Sequence, residues 1–121
     1  MDFNQITNCM KALSDPKRMM LLNLIREGTQ CNCEFCDSLG LQPNLISHHL
    51  RILKKARLVN IEKDPLDSRW IYYTINEETF QELRAFFNEF LNPDNIQPRG
   101  STCGPVNVIS TLAEKISTNQ S

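Results

Sequence analysis

Pro43-Asn44-Leu45-Ile46-Ser47-His48-His49-Leu50-Arg51-Ile52-Leu53-Lys54-Lys55 carries the strongest periodic signal in the chain. Ile46, Leu50 and Leu53 share one side of a helix over about Pro43 to Lys55. Asn44, Ser47, His48 and Arg51 then fall in an i, i+3, i+4, i+7 row on the other side. In a major groove, Asn can bond adenine and Arg can bond guanine, while Ser and His serve base edges or phosphates. Lys54, Lys55 and Arg57 lie farther along, where phosphates are the natural partners. Gln42 at the helix start and Arg69 beyond it complete the candidate DNA contacts. A polar row of this kind also suits an ordinary exposed helix, so the flanking segments must decide.

Upstream, a short helix over about Cys33 to Leu39 ends at Gly40, and helix, glycine turn, helix is the helix-turn-helix plan. Downstream, Leu58 to Lys63 and Arg69 to Ile75 are β-rich runs joined by Asp64-Pro65-Leu66-Asp67-Ser68, a turn-forming cluster, which predicts a hairpin wing. Nearer the start, residues 3–13 place Ile6, Met10 and Leu13 at helical spacing. Asp15 then caps a second helix with Pro16 at its first position, Leu21, Leu22 and Ile25 on its inner face and Gly28 at its end. His49 reads as a half-buried core histidine, His48 as the exposed one.

Asn76 caps a fifth helix with Glu77 and Glu78 in its first turn, where carboxylates suit the helix dipole. Phe80, Leu83, Phe87 and Phe90 follow at spacings of 3, 4 and 3, with Phe86 and Leu91 beside them. The stripe is either plain core packing or a dimer seam. The expected fold is mainly α with a small β-hairpin: a winged helix-turn-helix of five core helices plus a C-terminal tail. Residues 1–91 would form the DNA-binding and dimerisation domain. Residues 92–121 would form an extension with Cys103 and a weak helix over Val106 to Ile116.

The chain has 121 residues, 40% hydrophobic and 22% charged, which fits one folded core and excludes a disordered or fibrous chain. No apolar run reaches the roughly 18 to 20 residues of a membrane span, and Met1-Asp2-Phe3 opens no secretory signal, so a cytoplasmic protein without a membrane partner is expected. The net charge of −1 argues against a uniformly basic coat. Residues 41–72, however, hold six Lys and Arg against three Asp and Glu, a net of +3, and no carboxylate stands between Asp37 and Glu62. A local basic stretch on an acidic background is the footprint of a surface that meets phosphates at one place.

Five cysteines cannot close a disulfide framework, and three crowd into Cys31-Asn32-Cys33-Glu34-Phe35-Cys36. Cys33 and Cys36 fall on one helix face with Cys31 just ahead, so three sulfurs can converge if the first turn yields. A helix N-terminus favours thiolate, and thiolates select soft or borderline ions: As(III), Sb(III), Cd(II), Pb(II) or Zn(II). The alternative is three small hydrophobes at a helix start. A structural zinc would want a fourth ligand, for which Cys103 or Glu34 is available. Cys33-Glu34-Phe35-Cys36 is also a C-x-x-C, without a surrounding βαβ pattern. Cys9 reads as a buried small residue.

These residues resemble the ArsR/SmtB winged-helix metal-sensing repressors over about residues 3–91. Ala12-Leu13-Ser14-Asp15-Pro16-Lys17-Arg18 is similar to the family's A-L-(A/S)-D-P-x-R junction, and Ser47-His48-His49-Leu50 with Leu53 to its S-x-H-L signature. Arg69-Trp70-Ile71-Tyr72-Tyr73 resembles the strand returning from the wing. Cys31-Asn32-Cys33-Glu34 resembles the metal box E-L-C-V-C-D, with Cys36 following the arsenite-sensor version. The resemblance implies a homodimer built on the first and fifth helices, with Phe80, Leu83, Phe87 and Phe90 in the seam. It also implies binding to double-stranded operator DNA and release on metal binding through Cys31, Cys33 and Cys36, with Cys103 as a further ligand. Ile52 and Ala56 stand where one cadmium subgroup has a cysteine pair. Glu77, Thr79 and Phe90 stand where the fifth-helix zinc site needs Asp and His. By comparison with the family's other sites, As(III) or Sb(III) is the expected inducer; Cd(II), Pb(II) or Zn(II) is the alternative. A winged-helix regulator with structural zinc or thiol redox switching is a further reading. An enzyme is not expected, since no triad spacing, phosphate loop or paired catalytic carboxylates occur.

Overall fold

The computed structural model describes residues 1–29 and 31–100. Five helices, α1 (Phe3–Ala12), α2 (Pro16–Arg26), α3 (Asn32–Leu39), α4 (Pro43–Lys55) and α5 (Glu77–Phe90), run through them. Strands β1 (Val59–Lys63) and β2 (Ile71–Ile75) lie between α4 and α5, and a 3-10 turn spans Pro93–Asn95. Contacts divide the chain into two compact units, Met1–Ala85 and Phe86–Ser121. Cys103 and the helix expected over Val106 to Ile116 lie outside the described residues.

Helix starts follow side-chain chemistry. Asp15 accepts from the backbone N–H groups of Lys17 and Arg18 at 2.7 and 3.2 Å, with Pro16 at the first helical position of α2. Asn76 accepts from Thr79 N–H at 3.2 Å and so caps α5. Asp2 and Gln5 form a reciprocal capping box on α1. At the end of α3, Gly40 sits at φ +64°, the left-handed conformation in which a Cβ is strained, and turns the chain into α4.

The first unit closes around Leu21, Phe35, Ile46, Leu53 and Leu58, all with no exposed surface. Ile6, Cys9 and Ala12 supply the inner face of α1, whereas Met10 is exposed and Leu13 half-buried. The expected stripe was one step off, because small residues let this short helix approach closely. β1 and β2 pair antiparallel, Val59 opposite Ile75 and Ile61 opposite Tyr73. Tyr73 turns inward and meets the buried Phe35 ring edge-on at 5.9 Å, which ties the wing to α3.

β1 starts at Val59 instead of Leu58, and two further boundaries differ from expectation. α3 starts at Asn32, with Cys31 as its N-cap, instead of Cys33. β2 starts at Ile71 instead of Arg69, because the Asp67 carboxylate captures both the backbone N–H and the guanidinium of Arg69 within the turn.

Phe80 and Leu83 pack against the core of the first unit. In the second unit, Phe86 stacks on Phe90 at 5.2 Å and meets Phe87 edge-on at 5.1 Å. Phe90 remains 62% exposed and Leu91 68%. Thr79 is the one buried residue of α5.

Candidate functional site

The helix-turn-helix is built from α3, the Gly40 turn and α4. Ile46, His49, Leu50 and Leu53 are buried under α4, which fixes its rotation. Asn44, Ser47, His48, Arg51, Lys54 and Lys55 are consequently all exposed along its opposite side. Gln42, at the N-cap, makes no side-chain cap bond and is exposed, so its amide is available to an outside partner. The row is rigidly mounted and wholly solvent-facing, as groove-reading side chains must be.

The wing turn is ordered by its own acids. Asp64 accepts from the N–H groups of Leu66 and Asp67 at 2.8 and 3.1 Å and from the Tyr72 hydroxyl at 3.0 Å. These bonds hold its carboxyl below the usual range. Arg69 donates to Asp67 at 3.0 Å from Nε and 2.8 Å from Nη2. Two of its five donors are thus engaged within the wing, and the rest are free for phosphate.

The three clustered thiols are placed unequally. Cys31 is half-buried at the α3 N-cap, Cys33 is exposed, and Cys36 is half-buried against the core cluster. A hydrogen bond with Cys33 pushes the Cys31 thiol up, with partial desolvation and the Cys33 and Glu34 charges adding to the effect. The shift runs against the thiolate preference expected at a helix start. Among the described residues, no three Cys, His, Asp or Glu side chains are gathered as a set that could hold a metal. Cys31 interacts with Cys33, and Cys36 packs against the core cluster. Cys31 also faces the wing across a cavity of about 410 Å³, lined further by Glu34, Asp64, Asp67, Trp70 and Tyr72. Cys9 is buried and donates to the Ala56 carbonyl at 3.6 Å, which fits the packing role expected of it.

One linkage escaped the sequence. Arg18, from the D-P-x-R stretch, reaches His49 on the buried side of α4, with Nη1 at 3.4 Å from Nδ1. The signal was present, in an arginine one turn into α2 and a histidine on an apolar face, but it names no partner without the tertiary fold.

The chain's residues 15–60 match the model of the bacterial regulatory proteins of the arsR family. An uncharacterized HTH-type transcriptional regulator of Methanocaldococcus jannaschii is 35% identical over 88 residues, covering 72% of this chain and 96% of the relative. The chain belongs to the ArsR family. Among other ArsR-family relatives, the arsenical resistance operon repressor of Staphylococcus xylosus is 26% identical, covering 85% of this chain and 92% of that one. A crystal structure of a possible transcriptional regulator for arsenical resistance superposes with a TM-score of 0.60 at 28% identity, over 73% of this chain and 88% of that one. The fold is therefore the winged helix-turn-helix of ArsR-family regulators. Membership makes the protein a DNA-binding transcriptional regulator and not an enzyme. Among the described residues no helix is long and apolar enough to cross a membrane.

Proposed function

We propose that this ArsR-family regulator is a homodimeric repressor whose operator complex is released when As(III) or Sb(III) is captured by Cys31, Cys33 and Cys36. The observation that carries the reading is the placement of three thiols at the start of the helix that leads into α4, with Cys31 at its N-cap and Cys33 and Cys36 in its first turns. Three sulfurs at C-x-C-x-x-C spacing suit a soft, three-coordinate ion once the first turn of α3 yields. Drawing Cys36 to the other two distorts the first turn of α3, so effector binding and the DNA-bound geometry compete. Cys103 is the candidate fourth donor.

Proton balance favours a metalloid. Arsenous acid exchanges three hydroxyls for three thiols and releases three waters, As(OH)3 + 3 RSH giving As(SR)3 + 3 H2O. A divalent ion must instead expel the thiol protons. The Cys33 interaction and partial desolvation push the Cys31 thiol up, which works against the second reaction and not the first.

Residues Asn44, Ser47, His48 and Arg51 would read base edges, and Gln42, Lys54, Lys55 and Arg69 would hold backbone. Phe87 and Phe90 would form the dimer seam, supported by the exposure of Phe90 and Leu91 on an otherwise aromatic helix end. A Phe90→Glu variant should sediment as a monomer and lose tight operator binding.

The test is titration of the reduced protein on operator DNA with arsenite, Cd(II) and Zn(II), followed by anisotropy and by proton release in weak buffer. Arsenite should release the DNA without net proton uptake or release, and Cys33→Ser should abolish that response while repression persists. Normal release by Cys33→Ser but not by Cys103→Ser would move the sensing site to the tail. Coupling of about 1 to 3 kcal/mol implies a 5- to 150-fold loss of operator affinity, and the same loss of arsenite affinity on operator.

A further inference from the structure

Arg18 is bonded to three separate elements. Its Nε donates to the Ala12 carbonyl at 2.6 Å and its Nη2 to the Lys11 carbonyl at 3.5 Å, both at the end of α1. Within α2 its Nη1 lies 3.8 Å from the Asp15 carboxylate, and on α4 the same nitrogen meets His49 Nδ1 at 3.4 Å. His49 is 5% exposed and is one of two buried polar residues among those described. A guanidinium can only donate, so Nδ1 must be the acceptor and the neutral ring carries its proton on Nε2. His48, the next residue, is exposed in the DNA-facing row. The buried imidazole therefore sits directly behind the reading face, at the one place where α1, α2 and α4 are joined by hydrogen bonds from a single side chain.

We infer that Arg18 and His49 are positioning residues that hold α4 at the angle operator recognition requires, and that protonation of His49 releases that hold. A protonated imidazole has no lone pair at Nδ1, so it loses the bond and sets a second cation against Arg18. The charged groups facing His49 are Arg18 and Asp15 from α2 and His48 from α4. Burial, Arg18 and His48 push the imidazole below its usual value, and Asp15 only partly opposes them. The sign follows: the folded pKa is depressed, so the hold is complete above about pH 6.5 and is lost as pH falls through the lower folded value. Of the two adjacent histidines, only His49 makes the buried contact, and His48 is exposed.

The experiment measures anisotropy of the full chain on a duplex it selects from a random pool, and on an unselected duplex, from about pH 7.5 to about pH 5.5. For wild type, the ratio of selected to unselected affinity should fall by about fivefold or more over that range. His48→Asn should keep the fall. His49→Asn, whose amide oxygen can replace Nδ1 as acceptor but cannot titrate, should keep the pH 7.5 ratio and flatten the curve. Arg18→Lys, which lacks the fork, should show the low acid ratio at every pH. A ratio that does not change with pH in wild type, or a fall retained by folded His49→Asn, overturns the inference. If circular dichroism shows His49→Asn unfolded, Arg18→Lys decides, and a wild-type pH curve in that variant refutes the clamp.

Discussion

α4 and the start of α3 belong to one helix-turn-helix, yet they are built to different standards. α4 has 13 residues, a proline at its first position and four buried side chains along its length. α3 has eight residues, is anchored by Phe35 and Leu39 in its later turns, and begins at a cysteine that makes no side-chain cap bond. An N-cap is worth roughly 0.5 to 2 kcal/mol, and neither Cys31 on α3 nor Gln42 on α4 supplies the side-chain cap that Asp2, Asp15 and Asn76 provide elsewhere. α4 offsets the loss with Pro43 and four buried side chains, whereas α3 buries nothing before Phe35. A reading surface must not move relative to the body that carries it. A turn that has to be remodelled by an ion is cheaper to remodel when nothing caps it. The contrast separates a pre-formed output from a deformable input, and four variants test it.

The largest effect should come from Phe35→Ala. Phe35 is fully buried and meets Tyr73, so its loss should cost about 3 to 5 kcal/mol in denaturant unfolding. A loss below about 1 kcal/mol would mean that all of α3 is soft, and the division between its first turn and the rest would fail.

A smaller and more selective effect is expected on α4. Arg51→Ala should cost about 1 to 3 kcal/mol on operator and relax preference at one base pair, whereas Lys54→Ala should weaken all duplexes and lower the salt slope by about one. Equal losses for Arg51→Ala on operator and random DNA would show a phosphate contact, and the idea of α4 as a fixed reading face would lose its best residue.

These expectations differ in how far the sequence supported them. Caps are local, so Asp15 and Asn76 were legible from one residue and its next three neighbours. The rotation of α4 was legible because its apolar residues recur at helical spacing, which also put His49 inside and His48 outside. What requires two distant segments was not legible: Arg18 on His49, and the use of Phe80 and Leu83 in the core while Phe90 stays exposed. At the cysteine cluster the spacing placed Cys31 just ahead of α3 and Cys33 and Cys36 on it, but it carried no information on the upward shift of the Cys31 thiol, whose causes are Cys33, partial desolvation and Glu34.

The smallest effect is the most diagnostic of the contrast. Cys31 occupies an N-cap with extended backbone, φ −99° and ψ 135°, the conformation from which a serine hydroxyl accepts an N–H of the first helical turn. Cys31→Ser is nearly isosteric, so it should add the missing cap and remove a sulfur donor in one step. The expected outcome is a gain of about 0.5 to 1 kcal/mol in stability, read as a Tm higher by several degrees, together with loss of arsenite release and unchanged operator affinity. Most point substitutions destabilise, so a gain here has a specific meaning: the cysteine is retained at the expense of helix stability. A drop in Tm would show that the Cys31 thiol already stabilises the turn through Cys33, and the first turn of α3 would then be as firmly built as α4.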